Sequence, residues 1–262
     1  MSHKDPSYSQ FREDKILERI FPGKRGTCVE VGANDGITGS TTYYFEKKGW
    51  SCVLVEPVPG LCGKIRRFRS SPVFECAASS ETGEGVLHVP ESAESLSTLS
   101  PTALLPGAAG GGTSRVREIT IRKRRLDDIL LEAGISGMDF VTIDVEGHEM
   151  EVMKGFTLEK FRPGIIIVED NSDRNDKTVE KYLEGKGYKK FFRTGVNDWY
   201  AAGSDAVVSP GSVAQLEGYR KSLEFEDKIK TKFSCLDAVV PDLVKPALRL
   251  VLHGISKWAQ RK

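Results

Sequence analysis

The 262-residue sequence predicts an α/β fold, a doubly wound and mostly parallel sheet with helices on both faces. Three observations predict it. Short apolar runs suited to strands alternate with segments of helical period. The first of these runs enters a glycine turn, Val31-Gly32-Ala33-Asn34-Asp35-Gly36, from which a helix follows. Acidic residues stand where strands end, at Glu30, Glu56, Asp144 and Glu169, and ligands of open α/β sheets bind at that edge.

Tyr8 to Phe21 reads as an amphipathic helix that offers Phe11, Leu17 and Ile20 to the core and stops at Pro22-Gly23. Thr27 to Val31 is the first strand, and a helix covers Thr41 to Lys48. The second strand, Ser51 to Val55, ends at Glu56-Pro57. The spacing of Leu61, Ile65 and Phe68 predicts a helix from Gly60 to Phe68, and Pro72 to Cys76 is the third strand, followed by the small pair Ala77-Ala78. Gly85 to Val89 is an added strand.

Residues 91–114 contain Ser92, Ser95, Ser97 and Ser100, two prolines and the glycine-rich run 107–112. A loop of this length is either a lid over a site or a disordered stretch. Val116 to Arg122 alternates as a strand. Leu126 to Ala133 is a short helix with Asp127-Asp128 in its first turn. Asp139 to Asp144 is a strand, His148 to Phe161 a helix, and Gly164 to Glu169 an apolar central strand. A helix over Thr178 to Gly187 and strands over Lys189 to Arg193 and Asp198 to Ala202 complete the pattern. The organisation read from this is a helical extension over 1–25, a ligand-binding domain over 26–205 and a second helical extension over 206–262.

Composition narrows the partners. The formal net charge of +1 creates no global field for nucleic acid. Five cysteines, with Cys28, Cys52 and Cys76 inside or ending predicted strands, read as small buried hydrophobes of a reducing compartment, and none has the spacing of a zinc site. The polar start from Met1 to Asp14 lacks the apolar centre of a secretory leader. No run approaches the ~20 apolar residues of a membrane span. A cytoplasmic protein is expected.

The glycine turn is not the dinucleotide fingerprint, because Asn34 replaces the middle glycine and the acids Glu30 and Asp35 flank the turn. Negative charge repels a pyrophosphate and favours a sulfonium or ammonium group. S-adenosylmethionine carries both, so the electrostatics favour it over NAD or ATP. Glu56 at the end of the second strand is placed to read ribose hydroxyls, or else to cap the next helix. Ala77 leaves room for an adenine face. Glu30 either fixes the turn or orients the methionine amine. Asp144-Val145-Glu146-Gly147-His148-Glu149 sets two acids one residue apart at a strand terminus, with Gly147 for a tight exit.

These motifs resemble the FkbM family of S-adenosylmethionine-dependent methyltransferases, through Val29 to Gly36, Val55-Glu56-Pro57, Leu126 to Leu130, Ile143 to Glu149 and Ile167-Val168-Glu169. The resemblance implies a class I Rossmann-like methyltransferase fold and methylation of hydroxyls on sugars, polyketides and other natural products. It implies that Gly32, Ala33, Asn34 and Gly36 line the methionine part, that Glu56 and Pro57 hold the ribose side, and that Asp144 faces the cofactor at the reacting centre. Position 148 is often small in the family, so His148 is a departure.

An alcohol must lose its proton in such a transfer. His148 is the first candidate base, with Glu146 and Glu169 as rivals. A second scheme uses Asp144, Asp170 and Asn171 as oxygen ligands of Mg2+, as in O-methyltransferases of catechols. A binding module that keeps the fold without catalysis is the reading from another class. The basic run Arg122 to Arg125 is a solvated face or a contact for an acidic acceptor. Leu243 to Lys262 forms a basic amphipathic helix, for packing on the domain, for a homo-oligomer or for a membrane surface.

Overall fold

The computed structural model describes residues 5–91, 94–100 and 115–237. The chain divides into two compact units, Met1–Val208 and Ser209–Lys262. Strands of the first unit are β1 (Thr27–Val31), β2 (Ser51–Glu56), β3 (Val73–Glu75), β4 (Ala77–Ser79), β5 (Gly83–Pro90), β6 (Val116–Arg125), β7 (Phe140–Ile143), β8 (Ile165–Glu169), β9 (Tyr188–Thr194) and β10 (Asn197–Ala202). Its helices are α1 (Glu13–Ile20), α2 (Thr42–Lys47), α3 (Pro59–Phe68), α4 (Leu126–Glu132), α5 (Glu149–Lys154), α6 (Leu158–Phe161) and α7 (Thr178–Gly185).

Seven strands form one sheet in the order β3-β2-β1-β7-β8-β10-β9. The neighbours from β3 to β8 pair in parallel, and β10 runs antiparallel to both β8 and β9. The chain winds outward from β1 to β3 and then returns to place β7 on the other side of β1. That reversal opens a crevice at the carboxyl ends of β1 and β7.

Alternation along the strands divides the core. Val29, Val31, Val53, Val55, Val141, Ile143, Ile166 and Val168 join one cluster with Ile129, Val152, Phe161 and Leu183 of α4 to α7. Phe140, one residue out of step, packs its ring 4.9 Å from Phe45 of α2 and 5.7 Å from Trp50. Each face of the sheet is thus covered by helices, the arrangement that parallel strands require.

Several boundaries differ from the sequence expectation. The first helix starts at Glu13 rather than Tyr8, because Ser9 makes a parallel bridge to Gly39 and Arg12 takes a left-handed φ of 61°. The expected helix from His148 to Phe161 is two helices. Between them, Gly155 lies so near β4 that a Cβ there would sit 2.0 Å from the Ser79 carbonyl oxygen. The Asp127 carboxylate accepts bonds from Thr157 N (2.6 Å) and Thr157 Oγ1 (2.6 Å), so it braces the start of α6 rather than α4. Ala77-Ala78 belongs to a second sheet of three strands, ordered β4-β6-β5. The run Arg122 to Arg125 lies within β6, and Lys123, Arg124 and Arg125 pair with Glu81, Glu132 and Asp127.

In the second unit, α8 spans Pro210–Asp237, and Arg220 pairs along it with Glu217 and Glu224. The amphipathic stretch Leu243 to Lys262 lies outside the described residues, as do 92–93 and 101–114 of the long loop. Among the described residues, no helix is long and apolar enough to cross a membrane.

Candidate active site

A cavity of about 690 Å³ opens at the carboxyl ends of β1, β2, β7 and β8. Its first wall is the glycine turn. Gly32 N and Ala33 N donate to Val55 O (2.9 and 3.1 Å), which stitches the turn to β2. Gly32 has φ +86°, and a Cβ there would lie 1.7 Å from the Asp144 carbonyl oxygen, so only glycine lets the β1 and β7 loops meet. Asn34, also left-handed at φ 51°, donates its N–H to Glu56 Oε2 (2.9 Å).

Glu30 is held on both oxygens. Oε1 accepts from Thr41 N (2.8 Å), and Oε2 accepts from Ser40 Oγ (2.7 Å) and Thr42 Oγ1 (2.6 Å). Behind it lies Arg69, whose side chain is wholly buried. Arg69 donates to Glu46 Oε2 (2.6 Å), Gly36 O (2.8 Å), Ser40 Oγ (3.2 Å) and Thr42 Oγ1 (3.1 Å). Asp35 caps its own turn, accepting from Ile37 N and Thr38 N, and Gly36 packs on Ile65 and Arg69. Neither Asp35 nor Gly36 lines the cavity, whereas Glu30, Gly32, Ala33 and Asn34 do.

Glu56 is 4% exposed. Its oxygens accept from Asn34 N and from Val58 N (2.9 Å each), and it bonds no amide within α3. Burial pushes its carboxyl up to about 7, against the two backbone donors that lower it. Beside it, Pro57, Leu61, Ala77, Ala78, Leu87 and Leu99 make an apolar pocket floor.

The opposite wall carries acids. Asp144, Glu146 and Glu169 bring carboxylate oxygens within 4.8 Å of one another. Water reaches Asp144 through the cavity while protein rings it, so its surroundings are those of a walled crevice. Burial raises Glu146 to about 8, and the charges of Asp144 and Glu149 add to the shift. Burial and then the Asp144 charge drive Glu169 far above the carboxylate range, so it keeps its proton and shares it with Asp144. Three anions this close cannot all ionise in a crevice unless a cation joins them.

His148 lines the cavity and is half-buried, with Nε2 3.0 Å from Ser79 Oγ. Burial lowers its pKa, so the ring is neutral at pH 7. Asp170 is not brought to the acids. It accepts from Ser172 N (3.0 Å) and Arg193 Nη1 (3.0 Å) and lies off the cavity, although Asn171 lines it. The trio of Asp144, Asp170 and Asn171 is therefore not assembled as a ligand set.

Sequence reasoning missed several contributors. Tyr8, Gln10, Phe11 and Glu13 line the cavity from the N-terminal segment, and Asn197 does so from β10. Ser79 meets His148. Thr98 and Ser100, within the long loop, bond the carbonyls of Glu146 and Gly147. Arg69 gave no local signal beyond the end of a helix, since its partners come from three other segments.

The Methyltransferase FkbM domain matches residues 30–190. Among solved structures, the chain is similar to the methyltransferase FkbM from Methylobacillus flagellatus KT, with 17% identity and a TM-score of 0.44 over 68% of this chain and 43% of that one. It is also similar to a precorrin-6y C5,15-methyltransferase from Geobacter metallireducens GS-15, with 15% identity and a TM-score of 0.40 over 76% of this chain and 90% of that one. A ribosomal protein L11 methylase from Lactobacillus delbrueckii subsp. bulgaricus shows 10% identity and a TM-score of 0.38, over 72% and 75% of the two chains. The chain thus spans less than half the length of the first of these proteins. No curated protein sequence matches the chain.

Proposed function

Because this chain belongs to the FkbM methyltransferase family, we propose that it transfers a methyl group from S-adenosylmethionine to a hydroxyl of a sugar, glycan or small natural product. The observation that carries the reading is the pairing of one buried carboxyl, Glu56, with an apolar pocket floor on one side and a trio of acids on the other. A nucleoside with a cationic tail fits that donor set. Glu56 would hold the ribose hydroxyls, the floor of Ala77, Ala78, Leu61 and Leu87 would take the base, and the bare backbone of Gly32 to Asn34 would leave room for the tail. Asp144, Glu146 and Glu169 would face the positive charge, which would favour the ionisation that burial and crowding oppose.

When bound, the cofactor would supply an electrophilic methyl carbon, to which an acceptor oxygen bonds as the carbon–sulfur bond breaks and the neutral thioether S-adenosylhomocysteine leaves. The chain's own task is alignment of the acceptor and removal of its proton. His148 is neutral, lines the cavity and takes that proton in this reading. Burial holds a proton on both rivals at pH 7, Glu146 raised to about 8 and Glu169 further, so neither competes with it. Tyr8, Gln10, Asn171 and Asn197 offer uncharged polar groups to a hydroxylated acceptor at the same rim.

Calorimetric titration with S-adenosylmethionine and S-adenosylhomocysteine tests the reading, followed by label transfer from the former to a panel of glycosides. Binding of both ligands with transfer to a hydroxyl is the expected result. Failure of both to bind would refute it. Binding without transfer to any acceptor would favour a non-catalytic module.

A further inference from the structure

The turn that carries Glu146 is costly to hold. Glu146 has φ 54° and Gly147 φ 90°, two successive left-handed residues of which the first has a side chain. Such a conformation is unfavourable for a residue with a side chain and persists only where its surroundings impose it. From below, Glu149 Oε1 accepts from Gly147 N (3.0 Å) and Val145 N (3.3 Å). From above comes the segment 94–100. Thr98 is 1% exposed, and its Oγ1 donates to Glu146 O (2.6 Å) while accepting from Ser100 N (2.9 Å). Ser100 Oγ donates to Gly147 O (3.0 Å).

This upper brace is itself anchored. Thr98 N donates to His88 O (3.1 Å) and His88 N to Thr98 O (2.9 Å), an antiparallel bridge to β5. The small sheet is therefore tied to the turn through the hydroxyls of Thr98 and Ser100. Leu96, Ser97 and Leu99 of the same segment line the cavity.

We propose that Thr98 is a positioning residue, whose buried hydroxyl locks the left-handed turn at Glu146-Gly147 and so aims the Glu146 carboxyl into the cavity. The inference rests on the cofactor reading above, because it assigns Glu146 to the side of the cavity that meets the cation. Thr98 touches no reacting group in this scheme. It acts through Glu146.

A double-mutant cycle read by calorimetric affinity for S-adenosylmethionine tests this. T98V keeps the shape and removes the hydroxyl, so affinity should fall about tenfold, the scale of one buried hydrogen bond. T98S should stay within about twofold of wild type, because the donor returns. In the E146Q background T98V should change affinity by less than about twofold, since its target is gone. S100A, at a half-buried position, should weaken affinity two- to threefold, roughly the loss expected of its exposed bond to Gly147 O.

An equal effect of T98V with and without E146Q would overturn the proposal and reduce Thr98 to a packing residue. So would unchanged affinity in both T98V and S100A, or in E146Q alone. If the wild-type protein fails to bind S-adenosylmethionine, the cofactor reading itself falls, and the proposal with it. Thermal melts of each variant separate lost binding from lost fold.

Discussion

Glu56→Gln isolates the electrostatic strain of the site. The carboxyl moves from 4.5 to about 7 because burial penalises its charge. At about 1.4 kcal/mol per pH unit, that makes the ionised form roughly 3 kcal/mol less stable in the fold than in the unfolded chain. The sign follows from proton counts. Between 4.5 and about 7 the folded state holds the proton that the unfolded state has lost, so stability falls as pH rises through this window. Glutamine does not titrate. It also leaves one of the two N–H donors, on Asn34 or Val58, without its oxygen, a cost of about 1 kcal/mol that is constant with pH. Urea unfolding of both proteins from pH 5 to pH 8 should therefore show the stability of wild type relative to E56Q dropping by about 2.5 kcal/mol. A difference that stays flat across this range would refute the reasoning, because Glu56 would then titrate alike in both states. Ribose hydroxyls donate to the ionised form, so cofactor binding near pH 7 should release a fraction of a proton that E56Q does not release.

Gly32→Ala should cost more than about 4 kcal/mol, the range of severe substitutions, since its Cβ would meet the Asp144 carbonyl in a conformation that already resists a side chain. A near-native melt by circular dichroism would contradict that contact. Arg69→Met removes the only cation that Glu46 and Glu30 share among the described ion pairs, and breaking a buried pair costs about 3–5 kcal/mol. Urea titration measures it, and R69M/E46Q should recover part of the loss. His148→Gln should lower kcat about 100-fold, the lower range for loss of a general base, and leave S-adenosylmethionine affinity within about twofold. Equal losses in both would make His148 a binding group.

The order of strands and helices was legible because it rests on local periodicity. Val29, Val31, Val53 and Val55 alternate with residues of the other face, and the structure seats them in one cluster. Placement of the acids Glu56, Asp144, Glu146 and Glu169 around one cavity followed from their position at strand ends. What escaped the sequence depends on distant partners. Nothing near Thr98 announces a bond to residue 146, and nothing near Arg69 announces Glu46 and Gly36. The break at Gly155 was hidden for the same reason, since its cause is the backbone of Ser79. Asp170 and Asn171 adjoin a strand end as the other acids do, yet Arg193 draws Asp170 away from the cavity.

The bonds of Glu13 have a consequence for biosynthesis. Glu13 Oε1 accepts from Thr194 Oγ1 (2.9 Å), a partner 181 residues downstream, and from Asn197 Nδ2 (2.9 Å). Glu13 and Asn197 both line the cavity. A nascent chain therefore carries the glycine turn and every acid of the crevice well before it can close the rim. Closing a loop of that length is slow compared with the local pairing of β1 and β2. Ribosome-bound chains that end before β10 should hold a formed sheet and an open pocket, and full ligand affinity should arrive in one late step once Asn197 has left the exit tunnel.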